Sequence, residues 1–595
     1  MKSSVRHLIT DIFKLCGLRA SLLHIILTAT FAAFVRGCTN IIVTPGASED
    51  GNMILAYSSD SHNLYGFLYH YPPVKVAPGS SMDVYDWDSG ELRGAIPQVA
   101  PVGEKSTFNV VGNCNQHNLC IGETTFAGVP ELLEQPEAIV DYGSLIYITL
   151  QRTRTAVQAL RLMTELVQDY GYASEGESFS IVDTKEAYLL EMIGKGTHQL
   201  GSVWVSCKVP DGTILAHANH ARIGSEFLYD ETCDHSDDVI EFAIQTGLYK
   251  PSSPDDFSDF SFSAVYDPKK TYEMRYTDAR VWDIYRSFMT PEDQKAFDVK
   301  YMSHVMGHDV HNKDVLPLFL MKPSKKVSLN DIRARMSSHY ENTALEYGND
   351  VGGGLFEMPY RPRPNSWKYQ GKTYVNERSV AVPKTGWNFI AHLRSLDRVA
   401  HECLQTVFWF GADDCSTAPR IPVFPCAIGL STHFYGLGSQ QGHTSPIMHW
   451  DMDKAFWIQN MVSNFVYYRW SDSYPVLKEK LDQVHHDFER QVENLENQVA
   501  LLMSKGSVEG VDFDVVKLIS AFTVKVGDDL HRDWIKFYGQ LFVTFRDFVH
   551  MKVDKNNAAC GCFTDEIGMN EVWKERIIAQ RGDHYEVVDQ TQAHL

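Results

Sequence analysis

The sequence predicts an α+β protein. Beyond residue 37, roughly the first 200 residues carry short β-rich apolar runs, most of them stopped by Gly, Asp or Asn. The later half turns to helical spacing and loops. Near the C-terminus, Leu477, Leu481, Val484, Phe488, Val492, Leu495, Val499 and Leu502 recur every three or four residues with charges between them.

In chain order, Cys38–Val43 and Met53–Tyr57 flank the turn residues Pro45-Gly46 and Asp50-Gly51-Asn52 and read as a hairpin. Further strands are expected at Phe108–Val111, Leu119–Gly122, Ser178–Asp183, Ala187–Met192, Val203–Val209 and Ile214–Ala218. Thr155–Tyr170 gathers Leu160, Met163, Leu166 and Val167 on one face and stops at Gly171, a helix with its terminator. Asp331–Tyr340, Asn388–Leu396 and Lys454–Tyr468 read as weaker helices. The Leu477–Leu502 stripe reads as one long helix packed on its own domain, with a homo-oligomeric coiled coil as the alternative.

The chain has 595 residues and a net charge of −21, which repels nucleic acid and anionic membranes unless a local basic patch intervenes. None is evident, since the basic cluster Lys322–Lys326 is broken by Pro323 and Ser324. The N-terminus is different. Lys2, Arg6, Lys14 and Arg19 precede an apolar run, Leu22–Val35, that is too short for a permanent membrane span and has the layout of a secretory signal. Cleavage is expected after Gly37. Taking away 37 residues, five of them basic and one acidic, leaves 558 residues with a net charge of −25. Gly37-Cys38 also fits a lipidated cysteine, a reading disfavoured by Arg36 and by the strand that begins at once.

Of eleven cysteines, Cys16 leaves with the signal, and the nine after Cys38 cannot all pair. Cys560-Gly561-Cys562 lacks a second ligand pair for a metal and is expected to form a local bridge or two separate thiols. Cys38 is the informative one. Cleavage would give it a thiol and a free α-amine, whose reference pKa of about 7.7–8.0 suits a base for its own nucleophile.

Around this cysteine, Cys38-Thr39-Asn40-Ile41-Ile42-Val43, Gly46-Ala47-Ser48 and Asp50-Gly51 resemble the start of the N-terminal-nucleophile (Ntn) cysteine dipeptidases, the dipeptidase A and secernin group. Matching strings follow in order: Asp60-Ser61-His62, Gly122-Glu123-Thr124-Thr125, Asp141-Tyr142-Gly143-Ser144-Leu145, Glu175-Gly176-Glu177-Ser178-Phe179, Glu191-Met192-Ile193-Gly194, His217-Ala218-Asn219, Ala279-Arg280-Val281-Trp282 and Trp409-Phe410-Gly411. The resemblance implies a four-layer αββα sandwich over residues 38–430, behind a signal peptide at 1–37, with a helical extension at 431–595 packed on the catalytic domain. It implies a secreted cysteine dipeptidase that needs no cofactor and hydrolyses short peptides through a thioester on Cys38. Asp60 would orient the α-amine, Asn115 and Asn219 would bind the oxyanion or the substrate amide, and Arg280 would lie beside the thiolate and lower its pKa. Glu123 and Glu177 are candidates for the substrate's ammonium group. The bile-salt-hydrolase-like branch has Arg-Asn-x-Asp where this chain has Tyr57-Ser58-Ser59-Asp60, which argues against that substrate class. A same-fold amidase or acylase acting on non-peptide amides, and a non-catalytic binding protein, are the competing readings.

His304, His308 and His311 with Asp309 and Asp314 suggest a metal cluster, but the Glu that follows the first His of a zincin is missing, so no metal site is assigned. His217 and His220 are expected to be packing residues, and Gly352-Gly353-Gly354 a flexible turn without the Lys of a phosphate loop.

Overall fold

Thr39–Val43 is buried at all five positions, which β-branched Thr, Ile and Val tolerate well in a strand covered on both faces. It pairs antiparallel with Met53–Asp60 on one side and with Ile214–His217 on the other. The sheet continues through Thr385–Leu393, Thr406–Gly411 and Ile421–Val423, giving six antiparallel strands. The computed structural model describes residues 37–587, except 255, 269–270, 310–318, 347, 349, 362–365, 437–444 and 505–510. The expected signal segment, apart from Gly37, and His311 and Asp314 therefore lie outside the described residues.

A second antiparallel sheet has eight strands, in the order Cys233–His235, Ser202–Lys208, Ala187–Gly194, Gly176–Val182, Cys120–Phe126, Cys114–Asn115, Val110–Val111 and His70–Tyr71. The two sheets meet through side chains. Asn40 Nδ2 donates to the Glu123 carbonyl at 2.5 Å, and His217 is held by the Thr124 and Ser180 hydroxyls at 2.6 and 2.7 Å. Gly122 is required at this crossing, since a Cβ there would overlap the Asn40 side chain. Burial, then the charge of Arg222, lowers the His217 pKa to about 3, so it is the neutral packing residue expected from sequence.

Helices pack on both sheets. Tyr142–Arg152 starts in a capping box between Asp141 and Ser144, and Ala156–Tyr170 follows, its first N–H bonded to Asp183 at 2.9 Å. Asp278–Ser287 reaches the six-stranded sheet through Tyr285, whose hydroxyl accepts from the Ala216 amide at 2.9 Å. Trp470–Ser504 is the long amphipathic helix expected from sequence, and it is tied to Leu329–Met336 by Arg333–Glu489 at 2.5 Å. A second helix of 35 residues, Val511–Phe545, was not foreseen. Its Phe522 packs on Phe424 beside the last strand.

One expected helix is a strand. Asn388–Leu396 falls mostly in Thr385–Leu393, a central strand with Phe389, Ile390, Ala391 and Leu393 fully buried. Burial on both faces removes the polar alternation that marks a strand, and a short continuous apolar run fits either period. The later half thus supplies three of the six strands around Cys38, rather than helix and loop alone.

Disulfides join Cys114–Cys120, Cys207–Cys233, Cys403–Cys426 and the local pair Cys560–Cys562. Cys38 and Cys415 are free and buried. Among the described residues, no helix is long and apolar enough to cross a membrane, and no group of three or more His, Cys, Asp or Glu side chains could hold a metal ion.

Candidate active site

Cys38 precedes the first strand of the six-stranded sheet and is 3% exposed. Its thiol donates to Glu123 Oε1 at 3.5 Å, and the Tyr57 hydroxyl, 3.9 Å from the sulfur, donates a short bond to the same carboxylate oxygen. Burial, then the Glu123 and Asp60 carboxylates, push the thiol well above the ordinary cysteine range. A backbone hydrogen bond from Asp60 opposes them. In the intact chain this sulfur is therefore held as a thiol.

Glu177 lies beside Glu123 in the neighbouring strand. Burial, then the charge of Glu123, raise the Glu177 pKa well above the carboxylate range. Thr125 Oγ1 donates to Glu177 at 3.2 Å, while the Thr125 carbonyl accepts from Asn219 Nδ2 at 2.6 Å. Asn219 has a left-handed backbone, with φ of 58°. Its Oδ1 accepts from Arg280 at 2.7 Å. Hydrogen bonds thus join Cys38 to Glu123 and, separately, Glu177 through Thr125 and Asn219 to Arg280.

Arg280 does not meet the sulfur as expected. Nη1 donates to the Cys38 carbonyl at 2.6 Å and to Thr39 Oγ1 at 2.9 Å, Nη2 to the Ala218 carbonyl and Asn219, and Nε to the Tyr276 carbonyl. Its charge fixes the backbone of the nucleophile. Behind it, Asp278 binds His220, Arg222 and His304 at 3.1, 2.7 and 2.6 Å, which accounts for His304 without a metal. Glu191 accepts from the Arg222 and Ile223 amides at 2.7 and 2.8 Å, anchoring the loop that carries Asn219.

Asp60 ends the second strand, fully buried. Its Oδ1 accepts from Thr385 at 2.6 Å, next to a β-bulge between Thr385 and Trp387, and its Oδ2 pairs with Arg378 at 2.6 Å. Its carbonyl accepts from the Gly37 amide at 3.0 Å, and Arg378 Nη2 bridges its Oδ2 and the Gly37 carbonyl, which places this acid beside the peptide bond joining Gly37 to Cys38.

Asn115 is set apart from this cluster. Its Nδ2 donates to the Leu150 and Thr153 carbonyls, both at 2.7 Å, and its Oδ1 accepts from the His117 and Leu119 amides. It braces the Cys114–Cys120 turn against a helix end. Two participants were missed from sequence. Tyr57 was noticed only as a departure from a related pattern, and Arg378 lies far along the chain in a stretch that carries no motif.

The family model for peptidase family C69 matches residues 97–482, well over half of the chain, and includes Glu123, Glu177, Asn219 and Arg280. A "Probable dipeptidase" of Latilactobacillus sakei is 22% identical over 402 residues, covering 66% of this chain and 74% of that protein. "Probable dipeptidase A" of Streptococcus pyogenes serotype M3 (strain SSI-1) is 24% identical over 343 residues, 55% of this chain and 66% of its own length. A "Dipeptidase" of Bifidobacterium longum is 24% identical over 354 residues, 54% of this chain and 62% of its own length. The chain belongs to peptidase family C69.

Proposed function

We propose that this protein is a secreted dipeptidase in which Cys38 becomes an N-terminal nucleophile when the Gly37–Cys38 bond is cut. The observation that carries the reading is the placement of the Cys38 sulfur against Glu123, with Asp60 beside the peptide bond that would become the α-amine. The two facing sheets with helices packed on each suit the four-layer αββα sandwich of Ntn hydrolases.

Cleavage changes the electrostatics. A bare thiolate is opposed by Glu123 and Asp60, whereas a thiolate with an adjacent ammonium is not, because the same carboxylates stabilise the ammonium. The α-amine takes the thiol proton, and Sγ attacks the scissile carbonyl carbon. Asn219 is the oxyanion candidate, since only one bond from its Nδ2 is committed to Thr125. The ammonium returns the proton to the leaving nitrogen, the C–N bond breaks, and a thioester remains. Water, deprotonated by the amine, releases the acid and restores the thiol. Arg280 holds the Cys38 carbonyl throughout, and Asp60 orients the amine. The Glu123–Glu177 pair, carrying one negative charge between them, faces the substrate's ammonium group. No step calls for a metal or another cofactor.

N-terminal sequencing and intact mass of the secreted protein test the reading, together with dipeptide hydrolysis. A chain that begins at Cys38 and loses turnover in Cys38→Ala is expected. A chain that begins elsewhere, or full activity in Cys38→Ala, rejects it.

A further inference from the structure

Two buried arginines approach Cys38, and they differ in what they leave unused. All the guanidinium nitrogens of Arg280 are bonded within the protein. Arg378, itself 3% exposed, uses only Nη2, which donates to the Gly37 carbonyl and to Asp60 Oδ2, while Nε and Nη1 are buried without a hydrogen-bond partner. Its main chain is fixed at both ends, by its amide to the Arg275 carbonyl at 3.2 Å and by the Tyr340 hydroxyl on its own carbonyl. The guanidinium lies so close over Gly37 that a Cβ at that residue would overlap it. Unpaired buried N–H groups are costly; Nε and Nη1 lie on different edges, so a fork for a carboxylate pairs one of them with Nη2, which loses the Gly37 carbonyl when that residue leaves.

The geometry points to Arg378 as the residue that receives the C-terminal carboxylate of a dipeptide once the segment ending at Gly37 has left. This rests on the peptidase reading above and names the feature by which that site selects dipeptides. Removing Gly37 takes away one of the two acceptors of Nη2, and a Cys38 ammonium gives Asp60 a second cation. Arg378 is then free to bind a new anion without stranding Asp60. A dipeptide carries its two charges within one residue of the scissile bond on either side. The Glu123–Glu177 pair and Arg378 lie on opposite sides of Cys38 in the chain of contacts, Glu123 bonded to its sulfur and Arg378 to the residue before it. A longer peptide or a C-terminal amide leaves the guanidinium unmatched.

The test uses leader-free protein, freed of a fusion partner ahead of residue 38 and carrying Cys38→Ala so that bound peptide is not consumed. Titration calorimetry compares one dipeptide with its C-terminal amide. The free acid is expected to bind about 100-fold more tightly. Adding Arg378→Gln should shrink that ratio to within about threefold. Arg378→Lys, which keeps a charge opposite Asp60 and guards against misfolding, should retain no more than about a tenth of it. Equal binding of acid and amide by the parent, no binding of either, or an unchanged ratio in Arg378→Lys overturns the assignment. Selective binding by a protein whose Cys38 form hydrolyses no peptide would retire the catalytic reading and leave this one standing.

Discussion

The hydroxyl of Tyr57 is hydrogen-bonded to the Glu123 carboxylate 3.9 Å from the sulfur of Cys38. The bond draws negative charge away from the oxygen that opposes thiolate formation. Tyr57→Phe should therefore raise the thiol pKa further and move the acidic limb of the kcat/KM profile to higher pH, with about a tenfold loss at neutral pH, a size consistent with one charge-assisted hydrogen bond. A uniform loss with an unmoved profile would contradict this role.

Asp60 and Arg378 form an ion pair with both side chains almost wholly buried. Removing one partner leaves a charge without compensation, so Asp60→Asn should cost about 3–5 kcal/mol in urea unfolding, and the double variant with Arg378→Met should recover part of it. Additive losses would show that the pair is not coupled.

Glu177 gives a pH signature. Folding raises its pKa, so the folded chain keeps a proton that the unfolded chain releases above about pH 4.3. Its contribution to stability is complete below that pH and declines as pH rises towards the folded value. Glu177→Gln cannot ionise and should flatten this decline. Urea midpoints of parent and variant between pH 4 and 7 supply the comparison, and parallel curves would refute it.

The two free thiols should be separable by alkylation. Cys415 is buried and its pKa is raised, chiefly by burial, so it should react with iodoacetamide only after unfolding. Cys38 should react slowly while the leader is attached and at least tenfold faster after its removal, when an ammonium stands beside the sulfur. Peptide mapping of the labelled sites reads both. Equal rates before and after removal would show that the leader does not silence the thiol.

Much of the site was legible because its chemistry sits in contiguous strings. Cys38, Glu123, Glu177, Asn219 and Arg280 lie in short motifs; Cys38 is hydrogen-bonded to Glu123, and Glu177 is joined through Thr125 and Asn219 to Arg280. Arg378 was invisible because its meaning comes from a partner more than 300 positions away, Asp60. Asn115 shows the opposite failure. A polar residue between turn cysteines looks chemical in sequence, yet four backbone groups consume it. For the fold, the helix Trp470–Ser504 with its apolar stripe and strands bounded by turn residues could be read, whereas the central strand Thr385–Leu393 could not, because burial on both faces erases the pattern, and the helix Val511–Phe545 went unread despite its helical spacing. Arg280 contacts the Cys38 carbonyl rather than its sulfur, since spacing cannot tell the two atoms of one residue apart.

The order of the six-stranded sheet also bears on how the protein is made. Cys38 and the strand ending at Asp60 emerge early from the ribosome, but the strand that covers Asp60 starts at Thr385, about 325 residues later. At about 5–20 residues per second, that gap lasts roughly 16–65 s. Throughout it the Gly37–Cys38 junction lies beside an unfinished sheet. The pocket that would hydrolyse peptides closes only after that interval. On the proposed function, this topology would leave the junction open to cleavage until the strand from Thr385 has been made.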